Sequence, residues 1–174
     1  MQTNLYAVTV PLFTKHLMNL GKLLEKAEAH AGDDANELVR LMNDSLAEDM
    51  FPLGKQIEMA TDNAKGATGR LSGKEAPSFP DGDYTPETLK ARLRDTLAYL
   101  ASVSESDFDG AEERTVTLAW FPGKELTGFG YATEYALPNF FFHVTIAYAI
   151  LRKEGVGLGK ADFIGGLPFT DAAV

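Results

Sequence analysis

Two polar residues stand four positions apart in the aromatic stretch ALPNFFFHVTIAYAILRKEG, Ala136 to Gly155. Asn139 and His143 therefore lie one turn apart on one face of a predicted helix. An imidazole nitrogen is a common metal ligand and an amide oxygen a weaker one, so the pair could share a divalent cation. The pair could equally consist of two polar groups that find hydrogen-bond partners inside a helical core.

Further polar candidates occur on the helix predicted within DMFPLGKQIEMATDNAKG, Asp49 to Gly66. Gln56 and Asn63 lie two helical turns apart at the edge of its apolar face. Each needs a partner, because an unpaired buried amide costs about 1–3 kcal/mol. Asp49 stands one helical turn before Leu53 and is a weaker candidate for the same pocket.

Several other enzyme signatures are missing from the sequence. The chain has no cysteine, which rules out thiolate zinc sites, iron–sulfur clusters and a cysteine nucleophile. It has three histidines, His16, His30 and His143, but no G-x-S-x-G nucleophile elbow. The glycines of GVGLGK lack the spacing and the strand–helix context of a phosphate loop.

Four helices are predicted from apolar residues that recur at helical spacing. The clearest start signal is Thr85 as N-cap, followed by Pro86 and Glu87. The predicted helices run from about Leu5 to Ala29, from about Ala35 to Leu71 with a bend at Pro52, from Pro86 to the polar SESDFDGAEE, and from about Tyr131 to Lys153.

A short β-hairpin is predicted from about Arg114 to Phe129, because six residues alternate in polarity and Pro122-Gly123 suits a type II turn. Pro138 should kink the last helix just before the polar pair. We expect three apolar side chains of the glycine-rich tail to pack against the bundle: Phe163, Ile164 and Phe169.

Length and charge bound the kind of protein. A chain of 174 residues with 45% hydrophobic residues predicts one domain, residues 1–174, with a substantial core. Its formal net charge of -9 disfavours nucleic acid and anionic lipid as partners. The first residues lack the pattern of a signal peptide and no apolar run would span a bilayer, so we expect a soluble cytoplasmic protein.

The stretches DMFPLGKQIEMATDNAKG and ALPNFFFHVTIAYAILRKEGVGLGKADFIG resemble an uncharacterised bacterial family, a domain of unknown function within the DinB/YfiT-like superfamily. The resemblance extends over most of the chain. It implies an all-α, up-down-down-up four-helix bundle with a short β-hairpin before the last helix.

Metal-binding members of that superfamily resemble one another in three histidines, one on the second helix and an H-x-x-x-H pair on the last. Carried onto this sequence, the three positions are Gln56, Asn139 and His143. Amides are weak ligands for transition metals, so we expect no tightly bound cofactor and a hydrogen-bonded cluster in an inherited pocket. If zinc, nickel or iron does bind, these three residues are the ligands that the resemblance implies.

Two functions stay open, and the residues leave open whether the protein is an enzyme. The first is a dimeric bundle that holds a small molecule in a polar pocket left by a degenerate metal site. The second, by analogy with superfamily members, is a metal-dependent enzyme of the thiol-transferase or isomerase type. The consecutive Phe140, Phe141 and Phe142 cannot all face one neighbour, so this helix is either buried on most sides or partly used in a homodimer interface or another protein contact.

Overall fold

The computed structural model describes residues 4–82 and 84–170 of the chain. Within them, α1, α3, α4 and α6 are the long helices of a bundle, and α3 packs against α1, α4 and α6. No described helix is both long and apolar enough to cross a bilayer. The helices are α1 (Leu5–Ala31), α2 (Ala35–Asn43), α3 (Leu53–Ser72), α4 (Pro86–Ala101), α5 (Gly128–Tyr131), α6 (Leu137–Lys153) and α7 (Lys160–Ile164). This arrangement confirms the predicted all-α bundle.

The core lies between the long helices and is built from the apolar stripes read in the sequence. Phe13 on α1 meets Phe140 on α6 edge to face, with ring centroids 4.7 Å apart, and both side chains are fully buried. The helix α3 packs closely against α6. Three small residues of α3 are fully buried, namely Ala60, Ala64 and Ala67.

The second predicted helix is in fact two helices, so the prediction of one bent helix from Ala35 to Leu71 was wrong. Between α2 and α3 the chain forms a loop, residues 44–52, and Pro52 is the N-cap of α3. A proline lacks an N–H and disfavours helical backbone in the residue before it. The ends of the loop are joined by a hydrogen bond from the Leu53 N–H to the Asp44 carbonyl, 2.9 Å.

The hairpin leads directly into the last helix. Strands β1 (Thr115–Thr117) and β2 (Glu125–Thr127) pair antiparallel, with Val116 opposite Leu126. The chain then runs through α5, a π-helical turn (Ala132–Ala136) and α6 without leaving the helical path. Within this wider turn the Leu137 N–H donates to the Ala132 carbonyl. The π turn therefore lies immediately before Pro138, which has no N–H to donate.

The tail packs on the bundle through one of its three predicted anchors in particular. Phe163 lies 5.3 Å from the His16 ring and 5.8 Å from the Tyr148 ring, measured between centroids. Ile164 is half-buried. Phe169 is 85% exposed, so its predicted packing against the bundle was wrong.

Candidate functional site

Gln56 on α3 and His143 on α6 meet inside the bundle. The His143 Nδ1 lies 2.8 Å from the Gln56 Oε1, and both residues are buried. The other end of the amide is also engaged, because the Gln56 Nε2 donates to the Phe51 carbonyl at 3.0 Å. A carbonyl can only accept, so this second bond fixes the orientation of the amide.

That orientation fixes the tautomer of the histidine. An amide oxygen has no proton to give, so the His143 Nδ1 must carry the proton and donate it to Gln56. Burial lowers the pKa of His143 below its ordinary value of 6.5. The imidazole is therefore neutral near pH 7, and the pair is a hydrogen bond between two uncharged groups.

The other predicted site residues lie elsewhere. Asn139 and Asn63 line a pocket of about 620 Å³ between α3 and α6. Asp49 is exposed in the loop before α3, so it does not extend the helical line through Leu53 as predicted. The structure thus joins Gln56 to His143 in the core, and places Asn63 and Asn139 together on the pocket wall.

The pocket has a helical floor and an aromatic wall. The floor is a line along α3 at positions i, i+3 and i+7, which are Asn63, Gly66 and Arg70. Tyr135 and Tyr131 stand one and two turns before Asn139 and form the wall with Trp120. The remaining lining residues are Met59, Asp62, Lys65, Ala76, Pro77 and Ser78.

Arg70 is the charged centre of this pocket. Its guanidinium lies 5.8 Å from the Trp120 ring and 5.9 Å from the Tyr131 ring, and its Nη1 is 3.4 Å from the Tyr131 hydroxyl. Burial raises the pKa of Tyr131, with Arg70 opposing the rise, so this hydroxyl keeps its proton. The cation is thus held on two aromatic faces rather than by a carboxylate.

The end of the floor opposite to Arg70 carries a polar atom without a hydrogen-bond partner among the described residues. The Asn63 Oδ1 is buried and has no hydrogen-bond partner among the described residues. Native proteins pair the large majority of buried polar atoms, so an unpaired acceptor on a pocket wall indicates where a ligand atom could bind.

The chain is similar to one described protein family and to a solved structure. The family model described as "Domain of unknown function (DUF1993)" matches residues 5–164. The chain belongs to this family. It is also similar to a crystal structure described as a DinB family member protein from Shewanella denitrificans, with 40% identity and a TM-score of 0.91. That match covers 97% of this chain and 96% of the other. A comparison with curated proteins found no match.

The predicted resemblance to an uncharacterised DinB-like family is thereby confirmed, but the metal ligands that it implies do not fit a metal in this DUF1993 chain. Both polar atoms of the Gln56 amide are engaged, one by the His143 Nδ1 and one by the Phe51 carbonyl. Asn139 lies on the pocket wall, whereas Gln56 and His143 are not among the residues that line that pocket. A cation bound to the His143 Nδ1 would have to displace the proton that this nitrogen donates to the Gln56 Oε1, and the buried hydrogen bond would break.

Two carboxylates of a separate acidic cluster form ion pairs with basic side chains. Glu58, Asp62 and Asp81 place carboxylate oxygens within 4.8 Å of one another. Asp62 accepts from the Arg92 Nη2 at 2.7 Å, and Glu58 pairs with Lys55. Arg92 also donates to the Pro80 carbonyl at 2.9 Å, and Glu58 accepts from the Gly82 N–H at 3.1 Å. The cluster fastens the segment before α4 onto the bundle.

Sequence reasoning named two residues that line this pocket, Asn63 and Asn139, and it did not name the charged and aromatic residues of the lining. A signal was present for part of it. Tyr131 and Tyr135 repeat at the same four-residue spacing as Asn139. Trp120 gave no such signal, because it reaches the pocket only through the fold of the loop between β1 and β2.

Proposed function

We propose that this protein is a small-molecule-binding helical bundle in which a hydrogen bond between Gln56 and His143 has taken the place of a metal centre. The observation that carries the proposal is the 2.8 Å contact between the His143 Nδ1 and the Gln56 Oε1, in the core rather than at the pocket surface. The neighbouring pocket of about 620 Å³ lies within the range of 300–1,000 Å³ that is usual for small-molecule sites.

The chemistry of the pair supports binding without a tightly held metal. A cation would need the lone pairs that the Gln56 amide oxygen now gives to a buried N–H. Losing that bond strands a donor in the core at a cost of about 1–3 kcal/mol. An amide oxygen is a poor replacement for an imidazole nitrogen toward zinc, nickel or iron, so the new contact does not recover this loss.

Metal content tests the proposal directly. The protein should be purified without a nickel column or chelator, analysed for zinc, nickel and iron, and then titrated with each ion by calorimetry. We expect no stoichiometric metal and no saturable binding. The matched variant Gln56→His restores an imidazole at the substituted position and should gain zinc affinity if the position has kept its geometry.

The opposite result would favour the enzyme. Near-stoichiometric metal in the parent protein, lost in both Asn139→Ala and His143→Ala, would overturn the proposal and make thiol-transfer assays the next step. Metal lost in neither variant would place the ion elsewhere, with the carboxylates around Asp62 as the first place to look.

We also propose that the protein is a homodimer that uses the outer face of α6. Phe142 is 52% exposed on this helix, whereas Phe140 is fully buried. Phe141 is half-buried against the His16 ring, with centroids 4.9 Å apart, so its side chain already has a partner within the chain. Phe142 is therefore the residue of the three that is free to enter a subunit interface.

A further inference from the structure

The charge of the pocket points to the charge of its ligand. In a chain with a formal net charge of -9, Arg70 lies within ion-pair distance of no carboxylate in residues 4–82 and 84–170. The other cation of the lining, Lys65, is already paired with Asp62 at 3.0 Å. An arginine that lies beside aromatic rings and pairs with no carboxylate keeps donors of its guanidinium available for a planar anion.

The wall beside Arg70 suits a flat, apolar group. Tyr135 lies 6.1 Å from Trp120 and 6.0 Å from Tyr131 between ring centroids, so the three rings adjoin one another. Tyr131 is 1% exposed, so Trp120 and Tyr135 are the two rings that a ligand could reach. Trp120 is 54% exposed. An aromatic ring placed on this surface would stack on the wall and cover apolar area that now faces solvent.

The floor sets the distance between the polar ends of the ligand. A Cβ built at Gly66 would lie 2.7 Å from the Arg70 Nη1, so the arginine side chain folds back along α3 toward Asn63. Gly66 is three residues from Asn63, which is roughly 5 Å along the helix axis. The Asn63 Oδ1 at that end has no partner among the described residues, so a ligand atom that pairs with it must be a donor.

We propose that the pocket binds an aromatic carboxylate that carries a hydroxyl or other hydrogen-bond donor at the end remote from the acid group. The carboxylate pairs with the Arg70 guanidinium, the ring lies on the Trp120 and Tyr135 faces, and the donor bonds to the Asn63 Oδ1. This assignment rests on the small-molecule-binding function proposed above and specifies the chemical class of the ligand.

Three related probes separate these contributions: 4-hydroxyphenylacetate, phenylacetate without the hydroxyl, and 4-hydroxyphenylethanol without the carboxylate. Trp120 is the one tryptophan of the chain, so its fluorescence reports on this pocket specifically. Excitation at the red edge of tryptophan absorption avoids the phenolic probes, and calorimetry provides an independent affinity. We expect 4-hydroxyphenylacetate to bind roughly tenfold or more tightly than either relative.

Two variants test separately which residue binds each polar end of the ligand. Arg70→Gln should weaken both acids roughly tenfold or more and leave the alcohol unchanged, while the same substitution at the exposed Arg94, which pairs with Asp95, should change nothing. Asn63→Ala should abolish the preference for the hydroxylated acid. This second variant keeps the test decisive if Arg70→Gln fails to fold by circular dichroism.

The outcomes also separate this inference from the proposed function. If the neutral alcohol binds as tightly as the acids, or if Arg70→Gln binds them normally, the assignment of an anionic ligand is overturned while small-molecule binding stands. If none of the probes binds, the assignment is overturned as well, and a screen of neutral and cationic fragments with the same Trp120 signal then tests the binding function by itself.

Discussion

The hydrogen bond between Gln56 and His143 can be weighed by a double-mutant cycle. Gln56→Met keeps the length of the side chain but strands the His143 Nδ1–H, and His143→Phe keeps a ring but strands the Gln56 Oε1. Each single change leaves one partner of this bond unpaired and should lower the free energy of unfolding by about 1–3 kcal/mol. The double variant strands neither of these two atoms. Gln56→Met also removes the donor to the Phe51 carbonyl.

The coupling energy between Gln56 and His143 follows from this difference between the single variants and the double variant. The double variant should be more stable than Gln56→Met, because both lack the bond to the Phe51 carbonyl and only the single variant strands the His143 Nδ1–H. The cycle should therefore give a coupling energy of at least about 1 kcal/mol. In a protein of this size a loss of about 2 kcal/mol lowers Tm by roughly 4–8 °C. His143→Ala adds a cavity to the stranded amide and should be less stable than His143→Phe.

Urea denaturation followed by circular dichroism measures the four free energies, and calorimetry gives the Tm values. His30→Phe, at an exposed histidine of α1, is the control and should leave stability unchanged within about 0.5 kcal/mol. A coupling below about 0.5 kcal/mol would refute the reasoning, because it would mean that the two side chains do not depend on each other in the core.

Two further predictions concern pH and assembly. Burial lowers the pKa of His143 and of His16 from 6.5, with Lys15 adding to the effect at His16. Below about pH 6.5 the unfolded chain therefore binds more protons than the folded one. The free energy of unfolding should be level above that pH and fall by up to about 1.4 kcal/mol per pH unit for each histidine below it. Urea denaturation across this range would contradict the burial of both rings if the profile of the His143→Phe, His16→Phe double variant matched that of the parent. For assembly, Phe142→Glu should convert a dimer into a helical monomer in sedimentation equilibrium, whereas Ala98→Glu, at an exposed position of α4, should not. A dimer that persists in Phe142→Glu places the interface on another face.

How far the sequence predicts this fold depends on whether the deciding signal is local. The start of α4 was read correctly, because the Thr85 side chain accepts from the Thr88 N–H and Pro86 occupies the first turn. The break between α2 and α3 was missed. The apolar spacing runs on through residues 44–52, although the backbone leaves the helix and α3 starts anew after Pro52.

The candidate site shows the same difference between local signals, which the sequence contains, and tertiary contacts, which it does not. Helical periodicity placed Gln56 and His143 on inward faces, but only the packing of α3 against α6 determines that they bond to each other rather than to a third group. Arg70 lies on the same helical line as Asn63, seven residues later, whereas Trp120 carried no periodic signal. They meet because the loop between β1 and β2 lies over α3, and that is a tertiary contact between segments fifty residues apart in sequence.

Two amide residues of α3 have opposite effects on the stability of the folded protein. Gln56 is satisfied at both ends of its amide, so its loss should cost stability. Asn63 presents a buried acceptor with no partner among the described residues, and such an atom costs the folded protein about 1–3 kcal/mol. A group that lowers stability is retained where activity requires it, because binding sites are the places where local rules are broken for function. Under the proposed function, the satisfied pair is what remains of a metal site, and the unsatisfied Asn63 amide, two turns before Arg70 on α3, is the group retained for binding.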